Sequence, residues 1–148
     1  MSDIQGLAEE VQALLGAAVD RDYQAATDLV VRIADQHGAQ GVYGLCCALA
    51  QMVTTFGFGV KRGQGFAGIA MTDPDGRPMN PDEAPAEARP KVWATRFVAA
   101  YTNDDSATTV ALFETSLADP DGHIAGVAAL IGMAADVLRS KIEEGNHA

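Results

Sequence analysis

Gly63, Gly65 and Gly68 spell G-x-G-x-x-G directly after the basic pair Lys61 and Arg62. In a dinucleotide-binding fold such glycines let backbone N–H groups approach a pyrophosphate. That chemistry needs a strand before the motif and a helix opening right behind it. Here a helix-forming run precedes, and IAMTDPDG follows. A kinase-type glycine loop sits between strands and suits the local pattern, but no following lysine strand, H-R-D or D-F-G is present. No cofactor is therefore expected. What remains is a local anion site, with Lys61, Arg62 and backbone N–H groups as donors, set against a plain surface loop.

The other reactive side chains are scattered. D-P-D-G occurs at 73–76 and again at 119–122. Counted as a calcium loop from Asp73, the first copy places Pro78 where glycine is required and Ala84 where the bidentate glutamate belongs. Turn and helix-cap roles explain both copies. His37, His123 and His147 each lack a second ligand at i+3 or i+4, so no metal site is expected. No serine lies in G-x-S-x-G, and no set of nucleophile, base and oxyanion donors can be assembled from spacing alone. No catalytic residue is assigned. Cys46 and Cys47 are adjacent in a helix-like run, a poor geometry for a disulfide, and read as reduced, buried thiols.

Aromatic residues are concentrated around one region: Phe56, Phe58, Phe66, Trp93, Phe97 and Tyr101. They fit a core wedge beneath a long loop, or a pocket wall. The candidate binding residues are accordingly Phe58, Phe66, Trp93 and Phe97 for an apolar wall, with Lys61, Arg62 and Arg96 to orient an anionic group.

The elements that must position these residues are set by proline and glycine. Residues 1–56 contain no proline, whereas five of the six prolines lie within 74–90, preceded by a crowd of glycines at 57–68. Two helix-forming arms thus flank an irregular insert at about 57–89. The spacing predicts six helices: about 3–19; a second from an Asp20 or Asp22 cap to a stop at Gly38; about 39–56; 90–103; 105–118; and 122–144. The fold class is mainly α, a single-domain bundle over 1–148. A short β-hairpin at 69–72 and 77–80 is expected around D-P-D-G. GVYGLCCALAQMV from Gly41 resembles GVAALIGMAADVL from Gly126, which a duplicated helical hairpin would explain.

The chain has 148 residues and a formal net charge of −10. That acidity argues against nucleic acid as a partner, because phosphate contacts need clustered Lys and Arg. No continuous apolar run reaches the roughly 18 residues of a membrane span. The acidic start MSDIQGLAEE lacks the pattern of a secretory leader. A cytoplasmic protein is expected, of bacterial or phage origin by its Ala, Gly, Asp and Arg usage. The leading expectation for function is a non-enzymatic protein-interaction or regulatory module, binding itself as a homodimer or another protein. The alternative is a small-molecule-binding protein or enzyme, with its pocket between the 57–89 insert and the helix of Trp93.

Overall fold

Aspartate caps set the helix starts, as the sequence suggests. Asp22 accepts from the Ala25 N–H at 3.2 Å and opens the second helix; Asp105 accepts from the Thr108 N–H at 3.2 Å and opens the fourth. Each satisfies a first-turn donor that the helix itself cannot. The computed structural model describes residues 2–64 and 75–147. Within them the chain is mainly helical: α1 (Ser2–Val19), α2 (Tyr23–Met52), a π-helical turn (Val53–Phe58), two 3-10 turns (Pro81–Glu83 and Ala86–Ala88), α3 (Arg89–Thr102), α4 (Ser106–Leu117) and α5 (Pro120–His147).

The described α-helices are therefore five, not six. The expected second and third helices form one long element, α2, broken at Gly38, whose φ of 69° and ψ of −162° are non-helical. Glycine takes that positive φ without the Cβ clash of other residues. The continuation past Met52 widens into the π-turn and ends on Gly59 at φ 66°. No strand is present among the described residues. The first arm of the expected hairpin lies outside them, as do Phe66 and most of the glycine motif. In the second arm only Pro78 holds an isolated bridge position.

One core joins all five helices. Leu14 of α1, Ile33, Leu45 and Leu49 of α2, Phe97 and Val98 of α3, and Leu130 of α5 are fully enclosed, and Phe113 of α4 is buried with them. A fully buried Leu or Phe contributes about 1.5–3 kcal/mol, so these positions carry much of the stability. Ala107, Val110, Ala111, Glu114 and Leu117 follow the helical period along α4, and this row lies at the surface. α4 instead buries Thr109 and Phe113, leaving Val110 and Leu117 exposed. Phe113 offers far more apolar area than the alanines, and it packs edge-on against Tyr43 at 5.3 Å. Thr109 keeps its hydroxyl satisfied at 2.9 Å from the Tyr43 hydroxyl.

Arg139 of α5 donates to the carbonyls of Ala18 and Val19 and to the Tyr23 hydroxyl. It thus closes the end of α1, supplying donors to carbonyls that have no helical partner. The corner between α3 and α4 is tight: Asp104 adopts φ 57°, and the Asp105 N–H donates to Ala100 O at 2.9 Å.

Two helical stretches, Tyr23–Phe58 and Pro120–Gly145, are long and apolar enough by composition to cross a membrane. They lack a continuous apolar run but are rich in Ala and Gly and poor in charge. Both also supply core residues, including Leu45, Leu49 and Leu130.

A candidate binding groove between three helices

Arg89, Trp93 and Arg96 recur at i, i+4 and i+7 and so share one stripe of α3. Facing them are Ala107, Thr108, Ala111, Leu112, Thr115 and Ser116 of α4, with Asp119 and Gly122 at the start of α5. The small side chains of Ala107, Ala111 and Gly122 do not fill the space opposite Trp93. A groove of about 790 Å³ is left open. Among the described residues of the expected insert, Ala86 and Arg89 reach its wall, and Arg89 does so as the first residue of α3, so the described wall is mainly helical.

Trp93 is held from three sides. Its indole N–H donates to Leu112 O at 3.0 Å, and its ring stacks on Phe97 with centroids 5.4 Å apart. Its far edge lies on Gly126, where an added Cβ would come within 2.8 Å of the indole. The predicted wall residue Phe97 is fully buried behind Trp93 and does not line the groove. Phe58 is half-buried and packs on the core at the end of the π-turn.

The predicted cations separate in role. Arg62 does not reach the groove: its Nε donates to Tyr101 O at 2.9 Å, its guanidinium lies 4.1 Å from the Tyr101 ring centroid, and it pairs with Asp104 at 3.3 Å. It ties the start of the insert to the α3–α4 corner, helped by Gly63 N–H donating to Thr102 O at 2.7 Å. Lys61 is exposed on the same strap. Arg96 does line the groove but pairs with Asp82 at 2.7 Å. Both partners are well exposed, so that pair is worth at most about 1 kcal/mol and can open to a ligand. Arg89, not singled out in the sequence, also lines the groove and makes no ion pair among the described residues.

A second feature missed by sequence spacing is Ser116 with His123. The Ser116 hydroxyl lies 2.8 Å from His123 Nδ1 and 2.6 Å from Phe113 O. His123 also meets Phe113 edge-on, with centroids 5.2 Å apart. Burial pushes the His123 pKa below its ordinary value, so the ring is neutral at pH 7. The two residues stand on different helices and meet only because the chain turns sharply at 118–119.

Elsewhere, Tyr43, Val110, Phe113 and Leu117 border a smaller groove of about 390 Å³ on the other side of α4. Cys46 and Cys47 are free, and burial pushes the Cys46 thiol up to about 12, leaving it protonated and unreactive at neutral pH. Among the described residues, no three His, Cys, Asp or Glu side chains gather as a metal would require. No protein-family model matches this chain, and neither a curated protein nor a solved structure is detectably similar to it.

Proposed function

We propose that the protein is a binding module whose α3–α4–α5 groove takes a small amphipathic molecule bearing an acidic group. The groove carries this reading. Its volume of about 790 Å³ falls within the roughly 300–1,000 Å³ common for ligand sites. Trp93 and Leu112 form an apolar wall, hydroxyls stand along α4, and Arg89 is a cation with no ion pair among the described residues. 1-Naphthoate, an aromatic ring with one carboxylate, is a suitable probe. Isothermal titration is expected to show saturable binding, weakened about tenfold by Arg89→Gln, or about 1.4 kcal/mol, near the lower end for a hydrogen bond to a charged group. Equal affinity in the variant would remove Arg89 from the site, and no saturable binding by the wild type would remove the reading.

A second reading, a self-associating interaction module, draws on the exposed apolar face of α4. Val110 and Leu117 are 39% and 42% exposed and line the smaller groove with Tyr43 and Phe113. Exposed apolar side chains beside a groove favour burial against a partner. A cytoplasmic location accompanies both readings, supported by the enclosure of Leu45, Leu49 and Leu130 in the core. Native mass spectrometry of protein recovered without detergent is expected to give twice the 15.4 kDa chain mass if α4 is the interface. A bare monomer contradicts self-association, and a chain released only by detergent contradicts the location.

A further inference from the structure

We propose that Ser116 and His123 form a nucleophile–base pair that hydrolyses small carboxylic esters bound in the groove. The inference rests on the groove being a ligand site and adds a chemistry to it. Ser116 is part of the groove wall, and His123 is half-buried beside it on the next helix. The imidazole Nδ1 lies 2.8 Å from the Ser116 hydroxyl. That distance is within reach for proton transfer. The His123 ring packs on Phe113, and its backbone N–H donates to Asp119 O at 2.8 Å, which fixes this residue in the first turn of α5. Its depressed pKa keeps the ring unprotonated at neutral pH, the form a general base requires. The acceptor role places the imidazole proton on Nε2.

The hydroxyl proton has two acceptors, Phe113 O and His123 Nδ1; reaction proceeds from the second arrangement. Ser116 Oγ bonds to the ester carbonyl carbon as its proton passes to Nδ1. Collapse breaks the bond to the leaving alkoxide, which takes that proton and departs as the alcohol. Water, losing a proton to Nδ1, then attacks the acyl-serine. The carboxylic acid leaves and the proton returns to Ser116. Trp93 and Leu112 would seat the apolar part of the ester. Arg89 stands on the same wall system as the serine and favours substrates with an anionic end.

The test uses an alkyl fluorophosphonate, which bonds irreversibly to activated serine hydroxyls, with intact-mass readout. The wild type is expected to gain one adduct, mapped to Ser116. Ser116→Ala is expected to abolish it, and His123→Gln to slow labelling at least roughly 100-fold, the lower bound usual for a positioned base. Titration of the wild type with 1-naphthoate runs in parallel, and an unchanged helical circular dichroism signal in both variants shows an intact fold. No wild-type adduct, an adduct that persists in Ser116→Ala, or unchanged labelling in His123→Gln each overturns the proposal. If 1-naphthoate binds while no adduct forms, the chemistry fails and the binding groove stands; if neither occurs, both fall.

Discussion

Phe97→Ala is expected to cost about 3–5 kcal/mol of folding stability, the range for a large aromatic removed from a packed core. Phe97 is fully enclosed, stacks on Trp93, and meets Tyr43 edge-on at 6.1 Å. Its helix packs against α2, α4 and α5, so no single neighbour can move in to fill the space without leaving another contact. Domains are typically stable by only about 5–15 kcal/mol; the variant should therefore be marginal. Urea unfolding measures the loss, and Phe97→Leu should recover much of it by refilling volume. A loss under about 1 kcal/mol would mean that Phe97 is not the floor on which Trp93 rests.

Gly126→Ala is expected to cost about 1–3 kcal/mol, as overpacking does, and to disturb the groove. The new methyl would lie 2.8 Å and 3.1 Å from two indole carbons. Trp93 cannot tilt freely, because one face rests on Phe97 and its N–H is bonded to Leu112 O. Either the hydrogen bond lengthens or α5 moves away. Trp93 is the only tryptophan in the chain, so its fluorescence reports the change without interference. The expected result is a shifted emission maximum together with weaker 1-naphthoate binding. Unchanged emission and affinity would show that the indole does not sit on Gly126.

Much of the helical framework was readable because its signals are local. Asp22 and Asp105 act as caps, Gly38 breaks the helical path, and Arg89 and Pro90 start α3, one residue before the expected position. In α1, the periodic Val11, Leu14, Leu15 and Ala18 are the buried face. What was not readable depends on tertiary choice. Apolar periodicity in the α4 segment is diluted by Ala and Thr, so its buried face is decided by Phe113 fitting edge-on against Tyr43. The two glycines that open the similar segments pack differently: an added Cβ at Gly41 would meet its own helix's His37, whereas at Gly126 it would meet Trp93 of another helix.

The candidate site divides the same way. Trp93 and Arg96 were legible as an aromatic for the wall and a cation to orient an anionic group. Arg62 was legible as a cation, but its commitment to Tyr101 and Asp104 depends on how the insert returns to the α3–α4 corner. Arg89 reads in sequence as a residue before a proline, and only the orientation of α3 turns it into the groove. Ser116 and His123 are seven positions apart, which inside one helix would leave them about 10.5 Å apart along the axis and out of hydrogen-bond reach. They meet because a corner intervenes, and no periodicity encodes that corner.

The most direct measurement is an amide and indole chemical-shift map of the ¹⁵N-labelled protein titrated with 1-naphthoate. A ligand in the α3–α4–α5 groove should move the single indole N–H signal of Trp93 and the amides of Arg89, Ala111, Leu112 and Ser116 along one saturating curve. Shifts confined to Tyr43, Val110 and Leu117, or shifts that never saturate, would contradict the groove as the binding site.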